Sequence, residues 1–442
     1  MSPEFDLVVV GAGPGGLATA ATAAEAGLKV CVLDDNPAPG GQIWRGSVSK
    51  GANPLAAEWL RRMNRVRDKV EVRSGWRAVM DRGAICGPVK ALRIENNRRC
   101  DDIAFRSLVL ATGAREMFLP FPGWTLPGVF GAGGLQAFVK SGLDVAGKRI
   151  VVAGTGPLLL AVAANLRAAG ARIAAIAEQA PMQHMAQFSA RLLFTHPGKL
   201  LEGVGYGSKL FGVPYYPGSW VASASGNSHL QSVVVASGIR TRVIETELLA
   251  VGFHLVPNTE LAQLLECRLE TGYVGVDALQ RTSVENIYAV GEITGIGGVE
   301  KALAEGRIAA LAAAGRTAEA RTLLSTRDRW MRFARRLDAA FALREELRVL
   351  PENETIVCRC EDVAHKDLAP CRSWREAKLH TRCGMGPCQG RICGPATQFL
   401  FGWAAPAPRP PLFPVEVSTL ADTLLHETVS SPVISPSEHS AI

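Results

Sequence analysis

Gly11-Ala-Gly13-Pro14-Gly-Gly16 follows an apolar run, Phe5 to Val10, and opens an alanine-rich helical stretch to Ala26. A G-x-G-x-x-G loop between a strand and a helix confines the chain to a βαβ unit on a parallel sheet. Gly11 allows the tight turn, Gly13 lets the backbone approach a pyrophosphate, and Gly16 lets helix and strand touch. The phosphates would rest at the helix N-terminus, at Pro14. A second strand, Lys29 to Leu33, ends on Asp34, twenty-three residues after Gly11. A carboxylate at that distance receives a ribose hydroxyl.

The pattern recurs. Lys148 to Ala153 reads as a strand, Gly154-Thr-Gly156-Pro-Leu-Leu159 as its loop, and Arg172 to Ala177 as a strand leading to Glu178, twenty-four residues after Gly154. Here the third glycine is replaced by Leu159, a bulky residue where helix and strand should meet. Glu178 would favour NAD over NADP, because a carboxylate repels a 2′-phosphate. Nicotinamide binding, another adenine nucleotide and a remnant that binds none all remain open for this loop.

With 442 residues and 48% hydrophobic content the chain is long enough for several cores. The net charge of +7 is spread without a basic run, which argues against nucleic acid. Leu7 to Ala24 is eighteen residues without a charge, yet its glycines make strand, loop and helix the better reading than a membrane span. The N-terminus lacks a positive n-region, so the expected place is the cytoplasm, at most peripheral at the inner membrane. Cys31, Cys86, Cys100 and Cys267 are scattered and read as core filling. The segment from Ala180 to Tyr216 reads as an apolar helix followed by glycine-rich turns, with no acid-base role for His184 or His196.

Three further motifs carry a resemblance. Pro39-Gly-Gly41-Gln42-Ile-Trp44 resembles the second cofactor loop of the glutathione reductase and thioredoxin reductase class of FAD proteins. Leu108-Val-Leu-Ala-Thr112-Gly113 resembles its turn between domains, and Asn286-Ile-Tyr-Ala-Val-Gly291-Glu292 its distal FAD motif. The resemblance implies an α/β fold of two Rossmann-like domains, the second inserted in the first. It also implies FAD held by Gly11, Gly13, Pro14, Gly16, Asp34, Gly41, Gln42, Thr112, Gly113, Gly291 and Glu292, and a second nucleotide near Gly154, Gly156 and Glu178. Glu292 departs from the aspartate usual there. The class's redox-active cysteine pairs are missing, since no cysteine follows Gly41 before Cys86 and none lies between Gly123 and Ala250. The flavin must therefore exchange electrons with a nicotinamide, another flavin or a centre elsewhere in the chain.

That centre is the late cassette Cys358-Arg-Cys360 and Cys383-Gly-Met-Gly-Pro-Cys388, whose four thiolates suit a metal. Zinc is the rival occupant, but Cys-x-Cys is an uncommon zinc spacing and zinc would leave the flavin without an outlet. Cys371 and Cys393 are spares, Cys393 being the nearer substitute ligand. The segments around both pairs resemble the bacterioferritin-associated ferredoxin-like domain that binds a 2Fe-2S cluster. Fused to a flavin body, that domain resembles the A-type subunits of opine oxidases and D-hydroxyproline dehydrogenases and the middle subunit of hydrogen cyanide synthase. The resemblance implies an electron-transfer subunit in a hetero-oligomer, beside an FAD-bearing amino-acid-oxidase-like β subunit and a small ferredoxin-like γ subunit, with room for an FMN at the subunit interface. The other reading is a self-sufficient NADH-dependent reductase that feeds a ferredoxin or oxygen; a zinc-stabilised flavin-binding scaffold is a third.

The domains expected are an FAD domain over 1–122 and 252–320, an inserted nucleotide domain over 123–251, a helical linker over 321–353, the cluster domain over 354–404 and a proline-rich extended tail over 405–442. The linker, rich in arginine from Arg327 to Arg336, reads as a solvated face or a docking surface. The tail's prolines forbid a helix near its start and leave it free to wrap a neighbour.

Overall fold

Strand Phe5–Val10 lies at the centre of a sheet whose parallel neighbours are Val30–Asp34 on one side and Cys100–Leu110 on the other. Val70–Ser74 extends the sheet beyond Val30–Asp34, and Ile287–Ala289 extends it beyond Leu108 to Leu110. Phe5–Val10 and Val30–Asp34 are buried on both faces, which is why they read as continuous runs rather than as alternation. The first half of Cys100–Leu110 instead pairs antiparallel with Val89–Glu95, which pairs with Arg77–Cys86. The computed structural model describes residues 4–45, 53–86, 89–96 and 99–421.

The inserted domain repeats the plan with an all-parallel sheet in the order Tyr215–Pro217, Arg172–Glu178, Arg149–Gly154, Leu248–Gly252 and Val129–Gly131. An antiparallel meander, Trp220–Ser225, Ser232–Ser237 and Arg240–Glu245, packs beside it. Two short strands, Ala114–Glu116 and Leu255–Pro257, pair where the chain leaves and re-enters the first domain. That pair is the hinge between the two nucleotide folds.

Helix Pro14–Glu25 buries ten residues and packs on helix Val299–Ala313. The contact is close because Gly15 faces Gly306; a Cβ on Gly306 would stand 2.4 Å from the Gly15 carbonyl oxygen. The segment expected as glycine-rich turns is instead a second helix, Pro197–Lys209, after Met182–Thr195. Pro197 starts it with a pre-set φ, and Gly203, Gly205 and Gly207 lie inside it. The linker also breaks in a way its pattern hid. Helix Leu324–Ala340 stops, and residues 341–344 run irregularly before a 3-10 turn, Glu345–Val349.

The cysteine domain is small, with its own buried cluster around Val357, Leu368, Trp374 and Trp403. The described part of the tail lies on its own chain. Leu412 is buried in the flavin-domain core and its N–H donates to the Val79 carbonyl at 2.8 Å. Thr419 donates to Glu95 at 2.8 Å. Residues 422–442 of the expected tail fall outside the described residues. Among the described residues no helix is long and apolar enough to cross a membrane.

Candidate functional site

The first loop is built to leave one face open. A Cβ on Gly11 would stand 2.2 Å from the Ala111 carbonyl oxygen, and one on Gly16 only 1.8 Å from the Gly11 oxygen, so both glycines are consumed by packing. A Cβ on Gly13 would meet nothing within 4 Å. Gly13 caps a helix that has Pro14 at its start, no side-chain cap and no acidic residue in its first turn. The helix's positive end is therefore left for an anion. Asp34 accepts from the Ala12 N–H at 2.5 Å and from the Asn36 N–H at 2.8 Å. These bonds fix the carboxylate and leave lone pairs for a ribose hydroxyl.

The distant motifs converge on this loop. Gly41 seats the second loop on the first, since a Cβ there would lie 2.9 Å from Gly13 Cα. Gln42 is exposed beside it. The Thr112 hydroxyl donates to the Asn258 carbonyl at 2.6 Å, Asn258 Nδ2 returns a bond to the Thr112 carbonyl at 2.9 Å, and the Asn258 N–H donates to the Gly113 oxygen at 3.0 Å. Val290, just before Gly291, lies against Gly15. An apolar cradle with an open helix end and a fixed carboxylate fits an adenine dinucleotide such as FAD.

Glu292 accepts from the N–H groups of Gly297 and Gly298 at 3.0 and 2.9 Å. Its carboxylate thus shapes the turn before helix Val299–Ala313, and only its remaining lone pairs are free for a ribityl chain. Burial pushes this carboxyl up, against the pull of Lys301. Sequence reasoning missed the pair beneath it. Lys301 and Glu305, both 2% exposed in their side chains, bond each other at 2.8 Å. Lys301 donates to the Gly291 carbonyl at 3.0 Å, and Glu305 accepts the Gly291 N–H at 2.8 Å. Opposite charges four residues apart, Lys301 and Glu305, in an alanine-rich helix were the available signal.

In the second loop, Glu178 repeats the part of Asp34. It accepts from the Gly156 N–H at 2.7 Å and the Ala180 N–H at 2.8 Å. Burial pushes its carboxyl up to about 7. Leu159 is buried, and its helix, Leu158–Ala168, has Pro157 as N-cap, whereas the matching Pro14 is already helical in the first loop.

The cysteines gather, and not as four. The sulfurs of Cys358, Cys383 and Cys393 lie within 4.8 Å of one another, all three buried. Cys393 also contacts Cys388, which contacts the exposed Cys360. Cys393 therefore joins the four cysteines expected from the cassette, while Cys371 turns away to donate to the Asp367 carbonyl at 3.8 Å. Hydrogen bonds from Cys383 and Cys393 pull the Cys358 thiol down to about 2, and contact with Cys393 pulls Cys388 down to about 5. The Gly384 and Glu361 N–H groups also point at Cys358. Contact with Cys358 pushes Cys383 up to about 12 and pushes Cys393 up as well, and clustered cysteine sulfurs approached by backbone N–H groups are a donor set that suits an iron–sulfur centre. The loop closes tightly: a Cβ on Gly386 would stand 2.3 Å from Cys360 Cβ.

This centre is tied to the hinge. Arg115 Nε donates to the Arg391 carbonyl at 3.1 Å, and Arg391 sits between Cys388 and Cys393. Glu260 bridges the two guanidinium groups, 2.8 Å from Arg115 and 3.7 Å from Arg391. Arg115 Nη1 also donates to Asn258 Oδ1 at 2.7 Å. Arg115 and Glu260 lie in none of the expected cofactor or cluster motifs.

Residues 5–318 match the family described as pyridine nucleotide-disulphide oxidoreductase. The chain belongs to that family. Membership makes it a flavoprotein oxidoreductase, in keeping with the open first loop. The chain is 34% identical over 466 residues to the A-type subunit of opine oxidase from Rhizobium meliloti, covering 95% of this chain and 98% of that one. It is 33% identical over 421 residues to the HcnB subunit of hydrogen cyanide synthase from Pseudomonas aeruginosa, covering 87% and 90%. The solved structure of L-proline dehydrogenase from P. horikoshii shares the fold, with a TM-score of 0.68 at 17% identity over 94% of this chain and 79% of that one. The family's two-domain α/β fold is the one described above.

Proposed function

We propose that this chain is the electron-transfer flavin and iron–sulfur subunit of a hetero-oligomeric dehydrogenase or oxidase acting on amines such as opines or D-hydroxyproline. The observation that carries the reading is the tie between the cysteine centre and the flavin hinge, made by the Arg115 bond to the Arg391 carbonyl. Its relatives support the subunit role, since they are named as subunits of opine oxidase and hydrogen cyanide synthase.

Bound FAD would supply the acceptance of an electron pair and its release one electron at a time. The chain's own groups hold it: Gly13 and the helix end at Pro14 face the phosphates, and Asp34 faces the ribose. Gly41, Gln42, Thr112 and Gly113 line its course, while Gly291 and Glu292 lie at its distal end. Cys358, Cys360, Cys383 and Cys388 would hold a 2Fe-2S cluster, with Cys393 beside them as the substitute ligand, and its exposed side, at Cys360, faces an acceptor. The substrate would be oxidised on an FAD-bearing β subunit, with a small ferredoxin-like γ subunit and an interfacial FMN completing the relay in the cytoplasm.

The test is to purify the chain alone and with its β partner. Alone it should contain flavin, iron and acid-labile sulfide and show little amine dehydrogenase activity. Cys383→Ser should lose the cluster's visible absorbance while keeping FAD. Robust amine oxidation by the isolated chain would overturn the division of labour, and zinc in place of iron would overturn the relay.

A further inference from the structure

The two nucleotide loops differ most at their second glycine. In the first loop the space above Gly13 is empty to 4 Å; in the second, a Cβ on Gly156 would meet the ring of Phe341 at 4.0 Å. Phe341 begins the irregular segment after helix Leu324–Ala340, and that segment is fastened to the loop. The Phe341 carbonyl accepts from the Thr155 hydroxyl at 3.0 Å and lies 3.2 Å from His254 Nε2. Gln179, the residue after Glu178, donates its amide to the Phe341 and Ala342 carbonyls at 3.4 and 3.0 Å and to the Thr155 hydroxyl at 2.8 Å. Its own carbonyl accepts the Arg344 N–H at 3.1 Å.

The segment is anchored on both sides. Phe341 is buried with Ala180, Phe188 and Leu192. Leu347 is fully buried in the inserted domain's core, with Leu343 and Leu350 packed against the same cluster. A strap fixed at both ends therefore lies over Thr155 and Gly156, the position at which a dinucleotide's phosphates must approach such a loop.

We propose that residues 341–344 close the second dinucleotide loop and exclude nicotinamide nucleotides from it, with Phe341 and Gln179 as the residues that fix this specificity. Electrons then reach the flavin from a protein-borne donor and not from a soluble nicotinamide. The Thr155 hydroxyl and the Gln179 amide are already spent on the strap's carbonyls. A nucleotide must break these bonds and lift Phe341 before it can bind, and its apparent affinity falls by the fraction of time the strap is open.

ADP tests this without touching the redox chemistry, because it carries the phosphates and no nicotinamide; the result can fail while the subunit reading stands. ADP is titrated calorimetrically into FAD-saturated full-length wild type, Phe341→Ala and Gln179→Glu. The glutamate keeps the acceptor for the Arg344 N–H but sets a carboxylate against the Phe341 and Ala342 carbonyls, so it loosens the strap without emptying the core. Retained flavin absorbance and an unchanged unfolding cooperativity report that each variant is folded. Wild type should show no binding at millimolar ADP, and at least one folded variant should bind about tenfold or more tightly than wild type, as expected for an unmasked site. Binding by wild type equal to that of the variants overturns the proposal. So does failure of every folded variant to bind, since the loop would then be incompetent by itself and the strap would exclude nothing.

Discussion

Glu178 holds a carboxyl that burial pushes up to about 7 from an ordinary value of 4.5, even though the Ala180 and Gly156 N–H groups pull it down. The unfolded chain loses this proton near the ordinary value, whereas the folded chain keeps it to about 7. The residue's contribution to stability is therefore fully present below about 4.5 and lost as pH rises through about 7, a cost on the order of 3 kcal/mol. Glu178→Gln should flatten this dependence: its melting temperature relative to wild type should rise between pH 5 and pH 8. Parallel melting curves for the two proteins across that range would show that Glu178 titrates normally. The carboxylate's position was readable from its spacing to Gly154, because a βαβ unit fixes where the second strand ends. Its protonation was not, because burial is set by elements that meet it only in the folded chain, such as the strand Tyr215–Pro217 paired beside its own. The same limit applies to Cys393. Its place among the sulfurs depends on how the Gly384 to Gly390 loop folds over Trp374, where Cβ atoms on Gly384 and Gly390 would lie 2.5 and 3.0 Å from the indole.

At the scale of elements, the strands and helices that bear nucleotide motifs stand where periodicity and glycine spacing put them, since both signals are local. The connecting elements were harder to see. Helix Pro197–Lys209 carries glycines that ordinarily weaken a helix, and tertiary contacts hold it: helices Met182–Thr195 and Leu158–Ala168 pack on it, and Lys199 pairs with Glu300 at 2.7 Å. The joint between the cysteine domain and the hinge is likewise assembled from side chains distant in sequence. Glu260 lies between Arg115 and Arg391, with side chains 18%, 21% and 16% exposed. Glu260→Ala would leave two guanidinium groups facing each other without their shared acceptor. Losing charged hydrogen bonds at a part-buried site costs on the order of 2 kcal/mol. Faster amide exchange should follow across Cys383 to Cys393, with FAD retention unchanged. Unaltered exchange there would mean that the cysteine domain docks by its apolar contacts alone.

Across the whole molecule, three folded units are joined by segments that return to a unit already built: the hinge strands, the strap and the tail. The order of the flavin motifs made the two nucleotide folds legible, because each motif must recur at a fixed stage of the same topology. The tail gave no such signal, since its prolines specify only an extended chain and say nothing about what it lies on. Its described part completes the flavin domain. Arg77 Nη2 donates to the Pro414 carbonyl at 2.9 Å, Arg93 Nη1 to the Thr419 carbonyl at 2.9 Å, and Arg391 Nη2 to the Leu412 carbonyl at 2.5 Å. The last bond joins the tail to the cysteine domain as well, because Arg391 lies within that domain. Truncation before Pro410 would uncover the cavity filled by Leu412 and strand these arginine donors. Burying one leucine is worth about 1.5–3 kcal/mol, and each lost bond to a charged donor about 1.5 kcal/mol or more. The shortened chain, made without any partner, should therefore melt several degrees lower, a shift expected for a loss of that size, and release FAD more readily. An unchanged melting temperature in the isolated chain would show that the tail contributes nothing to the flavin domain on its own.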